Sequence, residues 1–188
     1  MTKNINRKGQ TRLNPFFEPY NTPHETIPFD KITLADYEEA MLEGIRREDE
    51  QIEKTINDPE GPTFENTLIR EDEVKGRKHY YDLLSRVESA FFNMLSAETN
   101  DEMDALAQKM NPILTKHAND VSLNPKLFER IKAVYNKHRE LTPEENKLLE
   151  ESYDGFVRSG ALLNENDKEK LDRKSTRLNS SHSAKSRM

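Results

Sequence analysis

The histidines could hold a metal ion, but their spacing in this 188-residue chain does not form a zinc peptidase motif. That motif needs two histidines one helical turn apart, with a glutamate between them to activate water. Only His24-Glu25 begins in this way; no second histidine follows, and Pro28 would break the helix. The other histidines considered lack a carboxylate or a second histidine at ligand spacing: His79, His117 and His138. We therefore predict no metal-ligating, cofactor-binding or catalytic residue in this chain.

The composition excludes further kinds of chemistry. The chain has no cysteine, which rules out disulfides, cysteine-ligated zinc, iron–sulfur clusters and thiol catalysis. No nucleophile elbow surrounds a serine, and the six glycines do not form a phosphate-binding loop. Judged by its reactive residues alone, the chain is predicted to be a soluble all-α module without a catalytic constellation.

The distribution of charged and apolar residues indicates which partners and which cellular location to expect. Charged residues make up 34% of the chain, and the formal net charge is -6, which argues against nucleic-acid binding. No stretch reaches the roughly 18 apolar residues that a membrane helix needs. Residues 1–13 are polar and basic and lack the apolar core of a signal peptide. They are predicted to be a disordered leader, and the protein is predicted to be cytoplasmic.

Proline and cap residues divide the rest of the chain. Residues 14–32 contain four prolines among aromatic residues, which predicts an extended arm that presses its rings onto a helical body. Residues 33–171 show apolar residues at helical spacing and no long alternating run, which predicts an all-α helical bundle without strands. Helix starts are predicted at cap residues, and Gly160 is predicted to end the last complete helix. The predicted caps are Thr33, Thr63, Asn100, Asn124 and Thr142.

Several finer expectations follow from this pattern. One long helix is favoured from Thr63 through the charged stretch 70–78, because a single glycine there costs only about 1 kcal/mol. Pro112 is expected to bend its helix, and residues 164–171 are expected to begin another helix. The predicted buried stripes of the later helices include Ile113 with Leu114 and Leu148 with Leu149.

Residues 172–188 differ from the rest of the chain. The helical spacing of apolar residues ends at Leu171, and serine, arginine and lysine predominate after it. The run from Asp172 to His182 resembles the in-frame translation of a sequencing adapter. We therefore interpret residues 172–188 as an artefactual disordered tail.

A series of short motifs runs along the chain in a fixed order, and together they resemble one family. The early motifs are Asn14-Pro15-Phe16-Phe17, Tyr20-Asn21-Thr22-Pro23-His24, Ile27-Pro28-Phe29-Asp30-Lys31-Ile32 and Pro62-Thr63-Phe64-Glu65-Asn66-Thr67. The later ones are Phe91-Phe92-Asn93, Ala97-Glu98-Thr99-Asn100-Asp101-Glu102, His117, Asn119-Asp120, Leu123-Asn124, Leu127-Phe128 and Phe156-Val157-Arg158-Ser159-Gly160-Ala161. The series resembles the N-terminal part of the thimet oligopeptidase, oligopeptidase A and peptidyl-dipeptidase family of zinc metallopeptidases, with bacterial peptidyl-dipeptidases closest. Two features depart from the family pattern. Glu25 stands where glycine is expected after His24, and residues 70–78 are more charged than the corresponding segment is in the family.

The resemblance implies a fold and an activity for the parent protein. Members of this family are about four times as long, nearly all helical and two-lobed around a deep channel. Their His-Glu-x-x-His zinc site lies far downstream, and the N-terminal helices form part of the channel wall. The resemblance therefore implies zinc and short peptide substrates for the parent, but no zinc and no peptidase activity for this chain alone. It also implies an uncovered apolar surface and self-association of the fragment.

Two alternatives stay open at this point. The chain could be a stand-alone helical module that binds peptides or a protein partner without cutting them. It could also be a small metalloenzyme that uses its scattered histidines.

Overall fold

The computed structural model describes residues 4–5, 11–69, 72–74, 77–79, 83–137 and 141–163. Most of these residues are helical, which confirms the all-α class. The α-helices are α1 (Leu34–Ile56), α2 (Phe64–Leu68), α3 (Leu83–Ala97), α4 (Asp101–Ser122), α5 (Pro125–Tyr135) and α6 (Pro143–Arg158). Three 3₁₀ turns lie before α1, at Pro15–Phe17, Pro23–Glu25 and Phe29–Lys31.

The helix starts lie where the cap residues predicted them. At α2 the Thr63 hydroxyl accepts the Asn66 amide at 3.1 Å, and the Asn66 side chain accepts the Thr63 amide at 2.8 Å. Thr142 and Glu145 form the same reciprocal pair at α6. These capping boxes satisfy backbone donors that a helix cannot pair internally.

Asparagine side chains fix two further starts. The Asn100 side chain accepts the Met103 amide at 2.9 Å at the start of α4, and Asn124 accepts the Lys126 and Leu127 amides at α5. At the other end of α6, Gly160 has φ of 96°, the left-handed conformation predicted for a helix stop. The sequence therefore located these ends correctly because caps act within three or four residues.

The prediction of one long helix from Thr63 is wrong. Helix α2 ends at Leu68 and α3 begins at Leu83; between them β3 (Asp72–Val74) pairs antiparallel with β4 (Arg77–His79). The register sets Asp72 opposite His79, Glu73 opposite Lys78 and Val74 opposite Arg77. The stretch has no apolar stripe to hold it as a helix against a core.

A second short ladder joins β1 (Asn4–Ile5) to β2 (Thr11–Arg12). The prediction that the chain has no strands therefore does not hold for these four short segments. Each strand has only two or three residues, so the all-α class is unchanged. The helix predicted from Asn164, the tail over 172–188 and His138 lie outside the described residues.

The chain divides into two compact units, and unit 1 comprises described residues within 1–49 and 70–107. Its core is a row of aromatic rings: Phe16 packs on Tyr37 with centroids 5.3 Å apart, and Tyr37 packs edge-on against Phe91 at 5.2 Å. Gly44 of α1 allows a close approach to α3, because a Cβ added there would lie 2.8 Å from the Leu84 Cα. A glycine is therefore required at this helix contact.

Unit 2 comprises described residues within 50–69 and 108–163. Its core is formed by side chains from α1, α2, α5 and α6: Ile52, Phe64, Leu127, Ile131, Val134 and Leu149. Arg130 of α5 holds the loop before α2, donating to the Asp58 carbonyl at 3.2 Å, the Glu60 carbonyl at 3.4 Å and the Asn66 side chain at 3.2 Å. This one guanidinium therefore satisfies several loop acceptors.

Two members of the predicted buried stripes are exposed. Ile113 is 38% exposed and Leu148 is 43% exposed, whereas their neighbours Leu114 and Leu149 are buried. Successive helical residues point about 100° apart, and in these two pairs only the second residue faces the core. Helix α4 continues through Pro112 as a single α-helix from Asp101 to Ser122.

Candidate functional site

The best-defined polar site of the described residues lies in unit 1, where residues before and within the arm contact the start of α1. The Asp36 carboxylate is 1% exposed and accepts two hydrogen bonds from Arg12 Nη1, at 2.8 and 3.0 Å. The same carboxylate accepts the Thr33 amide and the Thr33 hydroxyl, each at 2.7 Å. Asp36 therefore caps α1 and also binds a residue 24 positions earlier.

Asn14 adds a second attachment next to the first. Its side-chain amide donates to the Asp36 carbonyl at 2.9 Å and to the Glu39 carboxylate at 3.2 Å. Its side-chain oxygen accepts the Phe16 amide at 3.0 Å and so begins the first 3₁₀ turn. This turn directs the Phe16 ring inward, where it is fully buried against Tyr37.

Two tyrosines of this region have raised pKa values. Burial raises the pKa of the Tyr20 hydroxyl above 10.0, and the nearby Arg86 charge opposes the change. Burial is also the main cause that raises the pKa of Tyr37, followed by the neighbouring Tyr20 and Asp36. Both hydroxyls therefore stay protonated and uncharged at neutral pH.

The exposed side of α1 carries a compact ionic group. Glu43 accepts both Arg46 Nε and Nη2, at 2.8 and 2.7 Å, and Arg47 Nε at 2.9 Å. Hydrogen bonds from Arg46 lower the pKa of Glu43 to about 2, while burial opposes the shift and Arg47 adds to it. The Arg47 guanidinium also lies 5.7 Å from the centre of the Phe17 ring, within the range of a cation–π contact.

A pocket of about 650 Å³ opens beside these attachments. Its lining comes from residues 12–13, from the arm, and from Thr33 and Ala35 at the start of α1, and it mixes prolines with both signs of charge. The charged and aromatic members of the lining are Arg12, Glu18, Tyr20, Asp30 and Lys31. The pocket therefore provides hydrogen-bonding groups together with apolar surface.

The described histidines lie on different elements. His24 is exposed at the tip of a turn with φ of 58°, and His117 is buried within α4 in the other unit. His79 lies in β4. In the part of the chain that the structure describes, no three histidine, aspartate or glutamate side chains are grouped so that they could hold a metal ion.

The Arg12–Asp36 pair was not predicted. Arg12 falls in the segment 1–13 that is predicted to be disordered, and Asp36, in the first turn of the helix predicted after Thr33, is expected only to favour the positive end of the helix dipole. A signal did exist, because a cap residue followed three positions later by an acidic residue is typical of a capping box. Nothing in the local pattern could indicate that the same carboxylate also binds Arg12.

Tyr80-Tyr81 and Phe91-Phe92 are pairs of adjacent aromatic residues, for which the sequence predicts a place in the core, with a peptide-facing role open for a ring that points away from it. Phe91 is fully buried and Phe92 is half-buried, with the two rings edge-on at 5.2 Å. The neighbouring candidates, Tyr80 and Tyr81, lie outside the described residues.

Among the helices that the structure describes, none has the length and apolar character needed to cross a membrane.

Two curated proteins are similar to this chain, although no family model matches it. The dipeptidyl carboxypeptidase of Salmonella typhimurium is 36% identical over 160 residues, which cover 84% of this chain and 23% of that protein. The dipeptidyl carboxypeptidase of Escherichia coli is 34% identical over 163 residues, which cover 86% of this chain and 23% of that protein. The chain thus spans about a quarter of the length of these relatives. The resemblance indicated by the motif series is confirmed.

Proposed function

We propose that this chain is part of a peptidase of the dipeptidyl carboxypeptidase family and that the parent protein hydrolyses short peptides. The observation that carries the proposal is the 36% identity to the Salmonella enzyme over 84% of this chain. Random similarity does not extend over this length with motifs in a fixed order. The helical content of the described residues agrees with the all-helical parent that the resemblance implies.

We further propose that this region contributes to the wall of the substrate channel and does not hold the catalytic zinc. The residues present do not fit a zinc site, because the sequence lacks a His-Glu-x-x-His motif and the described residues provide no group of three ligands. The zinc of the parent belongs, in this proposal, to residues beyond the matched region. The role of the present residues is then to shape and orient rather than to react.

A chimaera tests the assignment to the family. Residues 14–163 of this chain replace the matching segment of the Salmonella dipeptidyl carboxypeptidase, and dipeptide release from a short peptide is followed by mass spectrometry. We expect a folded chimaera that releases dipeptides. A chimaera that melts cooperatively and binds one zinc ion yet does not cleave any short peptide would contradict the proposal.

The chain by itself provides the second test. We expect no dipeptide release and less than one-tenth of an equivalent of zinc by elemental analysis after purification. The full-length Salmonella enzyme, purified in the same way, is the positive control for both measurements. One equivalent of zinc together with dipeptide release by the isolated chain would show that its scattered histidines form a site.

The pocket beside the arm favours one other candidate, a peptide-binding module without catalysis. It has the volume for a few amino-acid side chains and a lining of both charges. Calorimetric titration of the isolated chain with short peptides distinguishes the two functions. Saturable binding that Lys31→Ala weakens, combined with an inactive chimaera, would favour the module.

We also propose that the isolated chain self-associates. Several large apolar side chains are exposed, among them Leu13 at 68% and Leu162 at 59%. Exposed apolar surface of this kind promotes association. Light scattering coupled to size exclusion should show species larger than the 21.9 kDa monomer. A single monomer peak at concentrations up to the millimolar range would contradict this proposal.

A further inference from the structure

We draw no further inference here: the strongest candidate, the pocket of about 650 Å³ between the arm and the start of α1, carries nothing because its lining mixes prolines with both signs of charge and no described group on it points to one ligand.

Discussion

Arg12 and Asp36 form a two-bond ion pair, with Arg12 Nη1 at 2.8 and 3.0 Å from the two carboxylate oxygens. The pair joins the residues before the arm to the first turn of α1. Because Asp36 is 1% exposed, water cannot replace Arg12 at low cost. The Thr33 cap binds the same carboxylate, so loss of Asp36 removes both the ion pair and the cap.

A double-mutant cycle measures this pair. We expect Asp36→Ala to reduce the free energy of unfolding by about 2–3 kcal/mol and Arg12→Ala by about 1 kcal/mol. The coupling energy between the two substitutions should be at least about 1 kcal/mol, because the stability effects of mutating residues in direct contact do not add. Urea unfolding of the four proteins gives the cycle.

An exposed ion pair on α6 serves as the control for that cycle. Lys147 and Glu151 lie 3.3 Å apart with both side chains more than half exposed. Their coupling should stay below about 0.5 kcal/mol. Equal coupling energies for the two pairs would show that burial of Asp36 does not strengthen its bond to Arg12.

Gly44 is predicted to be intolerant of any side chain. An added Cβ would lie 2.8 Å from the Leu84 Cα and 2.9 Å from its amide nitrogen, and backbone atoms cannot move aside alone. We expect Gly44→Ala to destabilise unit 1 by about 1–3 kcal/mol, a cost that exceeds the gain in helix propensity of about 1 kcal/mol. Thermal melting followed by circular dichroism measures the change.

Gly155 of α6 provides the matched control. Apart from its own helix backbone and chain neighbours, no described atom lies within 4 Å of a Cβ added there, so Gly155→Ala should stabilise the protein by up to about 1 kcal/mol through helix propensity alone. Opposite signs for the two substitutions are expected. If both stabilise the protein, the close approach of Gly44 to Leu84 does not exist in solution.

Glu25 is predicted to be strained. Its φ is 54°, a left-handed conformation that costs a residue with a Cβ about 1–2 kcal/mol. The family resemblance places glycine at this position, and the backbone gives the physical reason. We expect Glu25→Gly to be about 0.5–1 kcal/mol more stable than Glu25→Ala, after the greater unfolded-state entropy of glycine is subtracted.

The comparison of glycine with alanine removes the contribution of the glutamate side chain itself. Chemical denaturation of both variants gives the difference. A Glu25→Ala protein at least as stable as Glu25→Gly would mean that the turn does not adopt the left-handed conformation.

Glu43 should make the free energy of unfolding depend on pH in the acidic range. Its pKa of about 2 lies below the ordinary value of 4.5, so the folded state holds fewer protons than the unfolded state between these values. Ionised Glu43 therefore contributes stability above pH 4.5, and this contribution is lost as the pH falls toward 2. We expect it to be only about 1 kcal/mol, because Arg46 is 53% exposed and solvent screens the pair.

The variant Glu43→Gln tests this dependence. It should be about 1 kcal/mol less stable than the parent chain at pH 7, and the difference should shrink steadily below pH 4.5. Glu150→Gln, an exposed change on α6, is the control and should stay within about 0.5 kcal/mol. A difference that is the same at pH 7 and pH 2.5 would contradict the predicted role of the carboxylate.

Local signals in the sequence predicted the helix ends, whereas contacts over long separations could not be predicted. Thr63, Thr142 and Gly160 act through neighbours within a few positions, so their residue types were sufficient. Arg12 and Gly44 depend on residues 24 and 40 positions away, for which a single sequence holds no pattern. The pairing of β3 with β4 was not predicted because one glycine in a charged stretch is compatible with either a helix or a turn.

The hydrogen bonds of Arg130 also constrain when unit 2 can be completed during synthesis. They reach back 64 to 72 residues, and residues 70–107 of the intervening stretch belong to the other unit. The loop over 57–62 therefore leaves the ribosome long before the guanidinium that satisfies its carbonyls. A nascent chain that stops before Arg130 contains every residue of this loop but not the group that holds it. The loop thus gains these hydrogen bonds only after the middle of α5 has been synthesised.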